Sequence, residues 1–100
     1  MKKVEVIIYM GLQDQFEEVL KEEDIDEYII IPKVLGKLKG AAPKMDTHTW
    51  PGYFLQYRFC INDEQYETLR KKIYDFEREW EKEGFLATIW EIQERCGGRS

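Results

Sequence analysis

The chain is poor in the residues that most often carry chemistry. It has one histidine and two cysteines. Cys60 and Cys96 form neither a C-x-x-C pair nor a zinc-ligand spacing, so no metal centre is legible within a single chain. With no Ser-His-Asp or Cys-His arrangement either, enzyme activity is not expected. No apolar run approaches ~20 residues, which excludes a membrane-spanning helix. Basic residues are outnumbered 15 to 20 by acidic ones, and a net charge of −5 argues against a dedicated nucleic-acid binder. Proline is also scarce, at 3 of 100 residues, and no low-complexity stretch interrupts the pattern. The opening Met1-Lys2-Lys3 leads into an apolar stretch interrupted by Glu5, too short and too charged for a signal h-region. The expected compartment is therefore the cytoplasm, with both thiols reduced.

The 43% apolar and 14% aromatic residues suffice to build a core, and 100 residues suit one small domain. Residues 4–10 are β-branched and aromatic and predict a first strand. Leu12, Phe16, Val19 and Leu20 recur at helical spacing and predict a short amphipathic helix to about Glu22. Tyr28-Ile29-Ile30-Ile31 is too short and too β-branched for a helix, so it predicts a second strand with Pro32 near its end. Residues 53–61 alternate: Tyr53, Leu55, Tyr57, Phe59 and Ile61 on one face, Phe54, Gln56, Arg58 and Cys60 on the other. Asn62 and Gln65 have the spacing of a helix N-cap and its reciprocal partner. Tyr66, Leu69, Ile73, Phe76 and Trp80 then step by three and four along a second helix that ends at Gly84. Residues 85–92 predict the last strand.

The order β-α-β-β-α-β is that of the ferredoxin-like split βαβ: an α+β fold with a four-stranded antiparallel sheet and two helices on one face. Residues 1–95 are expected to form a single domain, and 96–100 a flexible tail. The strands are apolar at most positions of both parities. In the last one Leu86, Trp90 and Ile92 oppose Phe85, Ala87 and Ile89. The face without helices should then be covered by another subunit. Arg58 on that face should pair with an acid across the interface or reach a ligand there.

Residues 33–52 join the second and third strands, a long connection for a small domain, and such loops are commonly functional or mobile. Lys33, Lys37, Lys39 and Lys44 face one acid, Asp46, which leaves the loop at +3 and the remaining residues at −8 against a total of −5. A basic patch on an acidic chain suits a phosphate or carboxylate ligand, or is a solvated loop kept soluble by lysines. Gly36-Lys37-Leu38-Lys39-Gly40 lacks the spacing of a P-loop. Asp46 and His48 could supply half of a metal site, or His48 is a hydrogen-bonded loop residue. Trp50 could stack on a planar ligand or anchor the loop on the core. Glu77, Glu79, Glu81 and Glu83 crowd the end of the second helix as a solvated face, or as paired carboxylates for acid/base chemistry or a cation site.

The element order and several motifs resemble the nitrogen-regulatory PII superfamily. Met1-Lys2-Lys3-Val4-Glu5-Val6-Ile7-Ile8 is similar to the first PII strand, and Gly36 to Gly40 resembles the G-R-Q-K-G of the PII loop. Thr47-His48-Thr49-Trp50-Pro51-Gly52 is similar to an S/T-H-x-W-P-G signature of short PII-like proteins. The resemblance spans residues 1–93. It implies a homotrimer packed through the open sheet faces and a regulatory, ligand-sensing role. The loop would meet a small anionic, nucleotide-like ligand at the subunit clefts, or a partner protein. On that reading Lys33, Gly36, Lys37, Lys39, Gly40, Lys44 and Trp50 are candidate ligand residues, and Asp46 and His48 candidate metal ligands. The cofactor is left unassigned.

There are departures from the PII pattern. Leu38 replaces the PII glutamine that helps to hold Mg²⁺ and 2-oxoglutarate, and no tyrosine lies between Gly40 and Gly52. Glu81-Lys82-Glu83-Gly84 stands where PII proteins proper carry a T-G-x-x-G-D-G-K segment that cradles ATP phosphates. The trimeric divalent-cation tolerance (CutA-like) proteins share the architecture and imply a cation-binding trimer instead. A structural or partner-binding trimer without a small ligand is the third reading.

Overall fold

Alternate residues of the first strand, Val4, Val6 and Ile8, have no exposed surface, and the pattern continues across the sheet at Leu55, Tyr57, Phe59 and Ile61. This period of two is what a sheet with one face on a core requires. In the computed structural model, which describes residues 1–94, the elements run β1 (Lys2–Tyr9), a 3-10 turn (Met10–Leu12), α1 (Gln13–Glu22), β2 (Ile29–Val34), β3 (Phe54–Ile61), α2 (Asp63–Trp80) and β4 (Phe85–Glu91). The four strands are antiparallel in the order β2-β3-β1-β4, as the ferredoxin-like reading expects. The tail expected at 96–100, with Cys96, lies outside the described residues.

Both helices pack on the same face. Phe16 of α1 meets Tyr57 edge-on at 5.0 Å and Phe76 of α2 at 5.7 Å, so one ring ties sheet and helices together. The Tyr57 hydroxyl donates to Glu17 at 2.6 Å, and burial and then that bond push the phenol pKa up. The start of α2 is the expected capping box. The Gln65 N–H donates to Asn62 Oδ1 at 2.7 Å, and the Asn62 N–H donates to Gln65 Oε1 at 3.2 Å.

Two features differ from the sequence reading. First, β2 continues through Pro32 and Lys33 to Val34, so the long connection covers 35–53 rather than 33–52. Pro32 brings no N–H to the ladder, and the pairing slips there. It goes from Ile31 opposite Gln56 to Val34 opposite Phe54, with Lys33 at φ +59°. An edge strand tolerates such a bulge because no strand among the described residues pairs beyond it. Second, the open face is not apolar throughout. Glu5 and Arg58 stand opposite each other on β1 and β3 and pair at 3.3 Å within the chain, so Arg58 does not depend on an acid from elsewhere. The Gln56 amide donates to Glu5 at 3.2 Å and the Lys3 ammonium lies 3.6 Å from it. Exposed apolar residues flank this polar centre on both sides: Ile29 on β2, Leu86 and Trp90 on β4.

Candidate basic loop

The connection after β2 has no apolar period, yet it is built as a hairpin. The Gly36 N–H donates to the Lys44 carbonyl at 2.9 Å and the Lys44 N–H returns the bond at 2.8 Å. At the tip the Ala41 N–H donates to the Leu38 carbonyl at 3.2 Å around Gly40, whose φ of +82° is the left-handed value such a turn needs. Ala41 is buried while Lys37 and Lys39 are exposed, so the tip presents its charge outward. A second turn follows. The N–H groups of Met45 and Thr47 both donate to the Trp50 carbonyl at 3.1 Å, and the Trp50 N–H donates to Thr47 Oγ1 at 2.9 Å. The Asp46 N–H donates to the Gly52 carbonyl at 2.8 Å and closes the return arm. Lys33 Nζ meets Asp46 Oδ2 at 2.6 Å, and that bond raises the Lys33 pKa.

The stem of the hairpin stands on aromatic rings at one end of the open sheet face. Tyr9 and Phe54 are paired across β1 and β3, and the Lys44 ammonium lies 5.1 Å and 5.8 Å from their ring centres. Lys44 also donates to the Ala42 carbonyl at 3.1 Å. Gly52 sits so close to Tyr9 that a Cβ there would come within 3.2 Å of the ring. Phe54 is 1% exposed and lies against Gly84, whose carbonyl accepts from the Tyr9 N–H at 3.0 Å. Nothing in the sequence singles out Tyr9, Phe54 and Gly84 as a group. The alternation in residues 53–61 does put Phe54 on the open face, and pairing with β1 then brings Tyr9 beside it.

The candidate ligand residues thus separate into groups. Lys37, Lys39 and Gly40 share the tip. Gly36 and Lys44 form the rung, with Lys44 turned onto the stem. Lys33 lies at the root on Asp46. Trp50 is 45% exposed, so the structure does not use it to pin the loop to the core. For the metal reading, the Asp46 carboxylate is engaged by the Lys33 ammonium. Among the described residues no group of three or more histidine, cysteine, aspartate or glutamate side chains is placed to hold a metal ion. A groove of about 620 Å³ beside α1 is rimmed by Asp14, Glu17, Glu18, Asp24 and Asp26, the wrong charge for an anion. Residues 81–84, where the PII phosphate loop would lie, form a tight turn, with the Glu83 and Gly84 N–H groups both donating to the Trp80 carbonyl at 3.0 and 3.3 Å.

No protein-family model and no curated protein matches the chain. Solved structures do. A structure of CPII, a nitrogen regulatory PII-like protein from Thiomonas intermedia K12, bound to ADP, AMP and bicarbonate, superposes with a TM-score of 0.69. It is 17% identical, over 96% of this chain and 93% of that one. The apo form of the same protein gives 0.61 at 17% identity, over 93% and 89%. A putative PII-like signalling protein from Thermus thermophilus gives 0.65 at 15% identity, over 89% and 83%. The chain therefore has the fold of the PII-like proteins.

Proposed function

We propose that this chain is a PII-like regulatory protein that senses a small anionic ligand, an adenine nucleotide or bicarbonate, through the basic hairpin after β2 at clefts between the subunits of a homotrimer. The observation that carries the reading is the hairpin itself. It concentrates lysines on an acidic chain, is rooted on Tyr9 and Phe54 beside the open face, and stands on a fold whose solved examples include one bound to ADP, AMP and bicarbonate. Lys37 and Lys39 supply charge at the tip, and Trp50 supplies an exposed ring against a base or a partner. Ligand binding would reorder the hairpin, and the changed loop would be what a partner protein reads. With the PII phosphate loop reduced to a tight turn, the nucleotide phosphates would rely on the hairpin for charge.

The test is thermal shift and titration calorimetry with ADP, AMP, bicarbonate and divalent cations in separate arms. A ligand present at about 100 times its Kd stabilises by roughly 2.7 kcal/mol, which for a domain of this size is about 10–20 °C in Tm. The Lys37→Ala/Lys39→Ala double variant should melt within ~0.5 kcal/mol of the parent, because both side chains are exposed. It should bind the active anion at least about tenfold more weakly, since a single charge-assisted contact contributes roughly 1.5–3 kcal/mol. A response to divalent cations alone would favour the cation-binding alternative. No response to any arm at millimolar concentration would remove the sensor reading.

A further inference from the structure

Lys33 and Asp46 both have left-handed backbone, at φ +59° and +55°, although neither is glycine. They are also the two members of the ion pair that joins the end of β2 to the return arm of the hairpin. Such a conformation is uncommon for a lysine and persists only where the surroundings over-determine it. Here the bulge after Pro32 fixes one end and the Asp46 N–H bond to Gly52 fixes the other. The pair is not hidden, its side chains being 60% and 42% exposed, so a solute can reach it. The Asp46 carboxylate is itself an oxyanion end-on to an ammonium at 2.6 Å, the contact that a phosphate, carboxylate or bicarbonate oxygen would make with Lys33.

We infer that Asp46 is a built-in competitor for the anion that the hairpin binds: its carboxylate occupies Lys33 in the ligand-free protein, and an incoming oxyanion displaces it. The inference rests on the sensor reading above and adds a residue that sets the affinity threshold. The Asp46 N–H bond to Gly52 keeps the backbone in place while the carboxylate leaves, so displacement need not unravel the hairpin. Freed of its partner, the Asp46 carboxylate is left unpaired on the return arm. The exposed surface of the loop then changes with occupancy.

Asp46→Asn is the discriminating substitution. It keeps the size and the left-handed tolerance of the residue and removes only the charge. With ADP and bicarbonate as probes, the variant should bind about two- to fivefold more tightly than the parent, the range expected of an exposed ion pair. Lys33→Gln should bind more weakly. In a Lys33→Gln background Asp46→Asn should gain nothing, because the competition acts through that lysine. An equal gain in both backgrounds would show a general charge effect and overturn the inference, as would unchanged or weaker binding by Asp46→Asn. In either case measurable binding by the parent would leave the sensor reading standing. A parent that binds neither probe while Asp46→Asn binds one would overturn the inference, because a two- to fivefold gain does not lift absent binding to measurable binding. No binding by either protein would overturn the inference and, with no response to AMP either, the sensor reading as well.

Discussion

Trp90→Asp is expected to reduce the proposed homotrimer to monomers, read by light scattering at micromolar concentration as a fall from about three times the chain mass to one. The side chain is 42% exposed and lies with Leu86 and Ile29 on the face that no helix covers. Burying the apolar part of such a face yields roughly 25 cal/mol of gross hydrophobic gain for each Å². Ordering and association remove much of it, but the sign is clear. Glu5, Arg58 and Gln56 at the polar centre of the face are already paired within the chain, which lowers the cost of burying them without removing it. A new carboxylate at position 90 has no such partner beyond Lys3, whose ammonium now lies 5.4 Å from the Trp90 ring centre. An uncompensated buried charge of this kind destabilises by roughly 3–5 kcal/mol per site. Ile89→Asp is a different experiment. Ile89 stands opposite Val4 on the helix-covered face and packs against the core, so that substitution should unfold the protomer. A parent that scatters as a soluble monomer would remove the subunit cleft and the ligand site proposed there. A Trp90→Asp variant that stays trimeric would move the interface to another surface.

What the sequence makes legible follows from how local each signal is. The Asn62–Gln65 cap needs only residues three apart, and the step through Leu69, Ile73 and Phe76 needs only the helical period, so both hold in the structure. Parity along β3 depends on the pleat alone and places Arg58 correctly on the open face. The partner of Arg58 depends on register, which no single strand specifies, so the sequence does not point to Glu5 of the same chain. Pro32 reads as an end, yet an edge strand can pass a missing donor as a bulge. The hairpin after β2 is least legible. Its two-bond rung joins Gly36 to Lys44, where neither apolar alternation nor a strong turn dipeptide announces it. For the same reason Lys44, which the sequence ranks with the other ligand lysines, stands on the stem.

Gly84→Ala is expected to lower stability by about 2–6 kcal/mol, which for a domain of this size means a Tm at least ~8 °C below the parent. The residue has φ +116°, where an L side chain is strained by roughly 1–3 kcal/mol. In addition, a Cβ at this position would come 2.6 Å from Cε1 of Phe54, inside any tolerable contact. Phe54 cannot yield easily, being 1% exposed beneath the hairpin stem. Gly40→Ala isolates the backbone part of the effect. Gly40 has φ +82°, but nothing lies within 4 Å of its would-be Cβ, so that variant should lose only about 1–3 kcal/mol. The difference between the two variants measures the Phe54 contact. It also connects the turn after α2 to the basic loop, since a displaced Phe54 ring withdraws support from Lys44 and shifts the hairpin root. Gly84→Ala should therefore weaken binding of the active anion even at temperatures where the variant is fully folded. Melting of Gly84→Ala within ~2 °C of the parent would show that the ring does not press on this turn, and that the stem of the hairpin is free of the α2–β4 connection.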